Sequence, residues 1–192
     1  MGQLIIFEGL DGSGKGTQTK LTAQRLKEQG RDLRQITFPD YDSESSALVK
    51  MYLSGAFGDK PDDVNAYAAS SFYAVDRFAS YKTDWGEFYR EGGLVLSDRY
   101  TTSNAVHQCS KLPPMHWDGF LNWLFDFEYK KFGLPARHIH ALFQRCGIGL
   151  IQSLRVAAPA STRNGQQTQR HADKPYGHTI TTTVHIYQCL ST

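Results

Sequence analysis

Phe7-Glu8-Gly9-Leu10-Asp11-Gly12-Ser13-Gly14-Lys15-Gly16-Thr17-Gln18 sets the frame for the rest of this chain. Before it stands Leu4-Ile5-Ile6-Phe7, an apolar run with the length and branching of a buried strand. After it, Thr19 to Lys27 carries Leu21, Ala23 and Leu26 on what reads as a helix face. Gly9 to Lys15 therefore falls on a strand-to-helix turn, where a phosphate-binding loop belongs. Its glycines let main-chain N–H groups point at phosphate oxygens, beside the positive end of a helix dipole. Lys15 adds a mobile charge for the outer phosphates. The candidate triphosphate-binding residues are thus Gly9, Asp11, Gly12, Ser13, Gly14, Lys15, Gly16 and Thr17. The general pattern puts Ser or Thr directly after the lysine to help hold Mg²⁺. Gly16 stands there, so Thr17 or water must take that part. A glycine-rich turn with an incidental lysine is the competing reading. The loop alone indicates a bound nucleoside triphosphate and names no reaction.

Outward from the loop, strands and helices alternate. Gln29-Gly30 stops the first helix, and Leu33 to Phe38 reads as a second strand ended by Pro39. Asp40 to Ser43 reads as a loop closing on a helix cap, followed by a helix over Ser46 to Leu53. A long helix, rich in alanine and aromatics, is expected from Asp62 to about Trp85. Glu91-Gly92-Gly93 precedes a short buried strand, Leu94-Val95-Leu96, with Asp98-Arg99-Tyr100 just beyond it. Further helices are expected over Thr101–Ser110 and Pro114–Phe132. This alternation argues a parallel sheet wrapped by helices, an α/β fold of three layers. Ligands of such sheets collect beyond the C-terminal strand edges, where three pieces arrive: the glycine-rich loop, Phe38 to Tyr41, and Asp98 to Tyr100.

The bulk numbers agree with a protein of this kind. At 192 residues and 40% hydrophobic, the chain can bury a sizeable core. No apolar run approaches a membrane span, and no charged leader with a cleavage site opens the sequence, so the cytoplasm is the expected compartment. Cys109, Cys146 and Cys189 have no metal-ligand spacing and read as free thiols.

The motifs resemble thymidylate kinase, a family of P-loop nucleoside monophosphate kinases. The resemblance covers residues 1–136 and rests on FEGLDGSGKGTQ, on TFPDY (37–41), FYAVDR (72–77), DRYTTSNAVHQ (98–108) and FEYKKFGLP (127–135). It implies phosphorylation of dTMP to dTDP by ATP, with Mg²⁺. Lys15, Asp98 and Arg99 would be catalytic: Arg99 on the acceptor phosphate, Asp98 (with Thr17) orienting Mg²⁺ or its waters. Asp11 would face the sugar 3′-hydroxyl and the metal region. Arg77 would donate to a thymine carbonyl, Asn104 would read the base edge, and Tyr73 or Phe72 would stack on the ring. Tyr41 would reach the acceptor phosphate, and Phe38, His107 and Gln108 complete the substrate site. Simpler readings stay open: Asp76 and Arg77 as a surface pair, Asp98-Arg99 as a structural ion pair, Asn104 as a cap, Phe72 or Tyr73 as core. Relatives often carry Arg where Asp40 stands and Tyr where His107 stands, so phosphate binding and deoxy-over-ribo selection need other support here. A kinase for another pyrimidine monophosphate, or a nucleotide-binding protein without lid and adenine site, are the alternatives. Relatives are commonly homodimers. No membrane or nucleic-acid partner is expected.

Past residue 136 the resemblance stops. Residues 1–136 hold 15 basic and 18 acidic side chains, whereas 137–192 hold 6 and 1 with five of the seven histidines. A one-base shift in one coding of Arg137–Phe143 gives Asp-Ile-Phe-Met-Leu-Phe, a family-like buried strand. Residues 137–192 therefore read as a divergent, irregular basic tail, translated out of frame and leaving the C-terminal part of the fold incomplete. A genuine alternative C terminus and a nucleic-acid-binding tail are the rival readings.

Overall fold

A computed structural model describes residues 2–60, 62–136 and 139–143. Four strands, β1 (Gln3–Gly9), β2 (Leu33–Thr37), β3 (Leu94–Asp98) and β4 (Ile139–Phe143), form one sheet in the order β2-β3-β1-β4. Every pairing is parallel, with Gln3 opposite Leu94, Leu33 opposite Leu94, and Ile5 opposite Ile139. β4 lies inside the segment expected to depart from the family, and it completes the second side of β1. The remainder of that segment lies outside the described residues.

Alternation along β1 builds the layers. Leu4 and Ile6 point to one face, where Ile36, Val95, Tyr81, Trp85, Tyr89 and Tyr100 close over them. Ile5 and Phe7 point to the other, against Leu94, Leu96, and Ala23 and Leu26 of α1 (Lys15–Glu28). Burying each large apolar side chain of this kind stabilises the fold by about 1.5–3 kcal/mol. The sheet is thus covered on both faces, which the near-continuous apolar runs of β1 and β3 require.

The helices on the far side are α2 (Ala47–Leu53), α3 (Ala66–Ser80), α4 (Gly86–Arg90), α5 (Thr101–Cys109) and α6 (Trp117–Phe125). The expected start at Asp62 gives way to Ala66 because Asn65 caps that turn, its side chain accepting from the Ala68 N–H at 2.9 Å. Both α3 and α6 run on into π-helical turns, Tyr81–Trp85 and Asp126–Lys131. The first needs Gly86 behind it, since a β-carbon there would fall on the Tyr81 carbonyl and ring. Phe120 and Leu124 of α6 fill a second core with Ala66, Ala105 and Cys109.

The connections fix where a ligand can sit. From β1 the chain leaves toward β2, and from β3 it leaves in the opposite direction, over β1 to β4. β1 and β3 are neighbours, so the crevice beyond their C-terminal ends is the topological switch point of the sheet.

Candidate active site

The loop after β1 has the backbone its glycines imply. Gly9, Gly12 and Gly14 take φ values of 156°, 76° and 87°, and Gly14 is the N-terminal cap of α1. A side chain at Gly12 or Gly14 would be strained in that region, which is why glycine stands at both. Lys15 opens α1, and its ammonium reaches Asp11 Oδ1 at 3.2 Å. The lysine, the Arg99 charge and their hydrogen bonds hold the Asp11 carboxyl below its ordinary value. Thr17 is exposed on the first turn of the helix.

Asp98 and Arg99 meet this loop across the switch point. Phe7 is in register with Asp98, and the Arg99 N–H donates to the Phe7 carbonyl at 3.0 Å. Among the described residues, Arg99 is the one non-glycine with positive φ, 71°. Ser97 secures that turn by donating its hydroxyl to the Arg99 carbonyl at 2.5 Å. The guanidinium then lies over the crevice, Nη2 on Asp11 Oδ1 at 2.5 Å and Nη1 on the Ser103 hydroxyl at 3.1 Å. Lys15, Arg99 and Asp11 thus form one cluster in which a single carboxylate oxygen faces two cations. Arg99 pairs with Asp11 rather than with its neighbour Asp98.

Asp98 occupies the floor. Burial raises its carboxyl above the ordinary value, more than the Lys15 and Arg99 charges offset. Its Oδ1 is buried with no hydrogen-bond partner. A β-carbon on Gly16 would come within 3.2 Å of its Oδ2, so glycine after the lysine leaves the carboxylate room.

Deeper along α3 and α5 lies a buried polar cluster. Ser70, Tyr73 and Arg77 follow one another at helical spacing on α3, and Asn104 and Gln108 do so on α5. Arg77 is 2% exposed and grips Glu128 with two nitrogens, Nε to Oε2 at 2.7 Å and Nη2 to Oε1 at 2.5 Å. Thr101 Oγ1 donates to the same carboxylate at 2.7 Å. Burial alone would lower the arginine pKa, but the Glu128 charge and hydrogen bonds outweigh it and leave it raised. Asn104 Nδ2 donates to the Ser70 carbonyl and to Glu128 Oε1, each at 3.3 Å. Both partners are acceptors, so the amide can stand only this way round. Its Oδ1, with Gln108 Oε1 and Ser70 Oγ, is left buried and unpartnered.

The surface-pair reading of Asp76 and Arg77 fails on burial. Asp76 is fully buried and braces the loop after β2, accepting from the Asp40 N–H at 2.9 Å and the Ser45 hydroxyl at 2.6 Å. Phe72 and Tyr73 also part ways. Both rings touch Tyr52, but Phe72 also packs on Phe57 at 5.5 Å, whereas Tyr73 faces Tyr41, Arg77 and Arg99, its hydroxyl pushed up to about 12 chiefly by burial. Phe38 is buried, with the Arg77 guanidinium 5.9 Å above its ring. Tyr41 and His107 lie on the exposed rim. Desolvation, helped by Arg99 and Lys15, holds the imidazole below its usual value.

Glu8, Ser103 and Glu128 carry no role in the sequence reading, yet each joins pieces of this site. Their signal is weak but present: Glu8 follows four apolar strand residues, and Glu128 sits among aromatics, both costly places for an unpaired charge.

Mg²⁺ requires oxygen donors and keeps several waters. Among the described residues there is no group of three or more His, Cys, Asp or Glu side chains able to hold a metal. The orphaned Asp98 Oδ1 nonetheless fits a hydrated cation held chiefly by phosphates, and Thr17 stands on the first turn of α1, two residues after Lys15.

A glycine-rich loop on a central parallel strand, closed by an Asp-Arg pair from the neighbouring strand, defines a P-loop nucleotide-binding protein. The sequence model of the family described as "Thymidylate kinase" matches residues 7–123, and the chain belongs to that family. It is 31% identical over 133 residues to the thymidylate kinase of Mycobacterium tuberculosis (strain H37Rv), covering 69% of this chain and 61% of that one. It is 36% identical over 107 residues to a probable thymidylate kinase of Methanothermobacter thermautotrophicus, covering 54% and 51%. The solved thymidylate kinase of Candida albicans shares the fold, with a TM-score of 0.57 at 22% identity over 74% of this chain and 63% of that one. The chain thus spans about half to three-fifths of the length of the curated relatives it matches.

Proposed function

We propose that this chain transfers the γ-phosphoryl group of ATP to dTMP, giving dTDP. The observation that carries the reading is the pair of buried, unpartnered acceptors on α5, Asn104 Oδ1 and Gln108 Oε1, on the same helix whose Ser103 hydroxyl accepts from Arg99. Thymine presents an N3–H to such an edge and a neighbouring carbonyl to Arg77 Nη1. Cytosine presents a lone pair at N3 and, in place of that carbonyl, an amino group that would face the guanidinium donor. Two facing acceptors repel, and leaving a buried polar group unpaired costs about 1–3 kcal/mol. The pocket therefore favours dTMP over dCMP.

The remaining residues fall into place around a nucleotide held this way. Tyr73 is the stacking platform, and Phe72 is a half-buried packing residue against Phe57. Arg77 offers a thymine carbonyl Nη1, the nitrogen that Glu128 does not engage. Phe38 walls the base side, His107 and Asp11 lie at the sugar, and Tyr41 and Arg99 take the acceptor phosphate. An oxygen of that phosphate attacks the γ-phosphorus in line, and the bond to ADP breaks. Such transfer has a loose transition state and is accelerated by alignment and charge more than by covalent chemistry. Lys15 and the loop N–H groups hold the donor phosphates, and Arg99 draws the acceptor toward them by exchanging Asp11 for phosphate. Asp98, through water, and Thr17 would hold Mg²⁺, which when bound neutralises charge on the donor phosphates.

The family resemblance to homodimers finds support in Tyr67 and Val75 of α3, both at least 40% exposed and two turns apart. Among the described residues no helix is long and apolar enough to cross a membrane, and the free nucleotide pool makes the cytoplasm the expected compartment.

The test is ADP release by the purified chain with Mg-ATP and dTMP, dUMP or dCMP, with Lys15→Ala as the blank. Turnover with dTMP above the blank and at least tenfold above dCMP is expected. Equal rates with dCMP overturn the base assignment; rates at the blank with every acceptor overturn the activity.

A further inference from the structure

Glu8 is the last inward-facing side chain of β1 before the phosphate loop, and it is 6% exposed. Its carboxylate does not reach the phosphate region. Oε1 accepts from two main-chain N–H groups at the start of α5, those of Tyr100 and Ser103, each at 3.2 Å. Oε2 accepts from the Ser103 hydroxyl. The Tyr100 side chain turns away from the helix start, its hydroxyl donating to the Pro135 carbonyl at 3.3 Å, so the first N–H groups of α5 are capped from the sheet by Glu8.

The serine ties this buried acid to the phosphate cluster. A hydroxyl has one proton, and at Ser103 it goes to Glu8. The oxygen lone pairs are thereby turned outward, where one accepts from Arg99 Nη1 at 3.1 Å. We propose that Glu8 is a positioning residue for Arg99, acting through the Ser103 hydroxyl. The geometry separates two kinds of contact on the guanidinium. Asp11 holds Nη2 with a side chain 87% exposed, which an incoming phosphate can displace. Ser103 holds Nη1 from a buried anchor and stays. Arg99 thus keeps its plane and aim while one edge changes partners. The main chain is fixed from the same side, its positive φ secured by Ser97 and its N–H by Phe7.

This inference rests on the reading of Arg99 as the ligand of the acceptor phosphate. Its test is the ratio of dissociation constants for thymidine and dTMP, which isolates the phosphate contact from the base pocket. It is measured by calorimetry for the wild type, Ser103→Ala, Ser103→Thr, Glu8→Gln and Glu8→Asp, and for Glu8→Gln combined with Ser103→Ala. A wild-type ratio of one overturns the functional reading itself. Given a large wild-type ratio, Ser103→Ala is expected to shrink it about tenfold, the scale of a hydrogen bond to a charged group. Ser103→Thr, which keeps the hydroxyl, restores it. Either Glu8 variant shrinks the ratio alone, and Glu8→Gln adds nothing once Ser103 is alanine. An unchanged ratio in Ser103→Ala, or an equal effect of Glu8→Gln in both backgrounds, overturns the proposal. Failure of both Glu8 variants to fold also overturns it, because the acid is then a structural support only.

Discussion

Replacing Glu128 by glutamine tests the energetic account of the base pocket. The carboxylate is fully buried and accepts four hydrogen bonds, two from Arg77, one from Thr101 and one from Asn104. Glutamine keeps the shape but cancels the charge, leaving a guanidinium that is 2% exposed without a counter-ion. Breaking a buried pair from one side costs about 3–5 kcal/mol, a large part of the roughly 5–15 kcal/mol that holds a domain together. With a urea m-value of about 2 kcal/mol/M, the unfolding midpoint should fall by about 1.5–2.5 M. The informative control is Arg77→Met with Glu128→Leu, which removes both charges. That variant should recover most of the loss, since an apolar pair of similar volume needs no desolvation. Base recognition should not recover with it, because Asn104 then loses one of the two acceptors that fix its amide. A midpoint shift below about 0.5 M for Glu128→Gln would refute the reasoning, showing that solvent reaches the pair.

Three further outcomes are expected. Burial lifts the Asp98 carboxyl above 3.8, so the folded chain keeps that proton to higher pH than the unfolded one. This contribution to stability is full below the ordinary value and is lost as pH rises through the folded value. Asp98→Asn should therefore melt higher than the wild type at pH 7, while showing no turnover; a lower melting temperature contradicts the burial account. Gly86→Ala should cost at least the 1–3 kcal/mol typical of overpacking, because the new methyl meets the Tyr81 carbonyl, and urea unfolding measures it. Asn65→Ala should lose about 1 kcal/mol with the α3 cap, read the same way, and should leave dTMP affinity unchanged.

The parts of this site that could be read from sequence are those in which local geometry dictates residue type. The phosphate loop needs glycine where φ is positive, and Gly12 and Gly14 stand there with φ 76° and 87°. The ends of β2 and β3 were legible from local breakers: Pro39 closes the first soon after Thr37, and the apolar run of the second gives way at Ser97-Asp98. What escaped was side-chain pairing over long sequence separations. Nothing near Arg77 reveals that its partner is Glu128, fifty-one residues on, or that Asp76 turns inward instead of pairing beside it. Glu8 and Ser103 are ninety-five residues apart and meet only because β1 and β3 pair in parallel. The π-helical turns were illegible too, since widenings of five and six residues leave the apolar spacing of α3 and α6 nearly unchanged. The choice between Phe72 and Tyr73 follows once the α3 face bearing Ser70 and Arg77 is known.

The strand order also has a consequence for the order of synthesis. β1 lies between β3 and β4, so it leaves the ribosome ahead of both neighbours, which are encoded about ninety and about 135 residues later. At roughly 5–20 residues per second, its first partner appears some 5–20 seconds after it. For that interval Leu4, Ile5, Ile6 and Phe7 form a nascent apolar segment with both hydrogen-bonding edges open. Such a segment is the type that holdase chaperones bind, and translation speed through the codons for residues 30–90 sets how long it must be shielded.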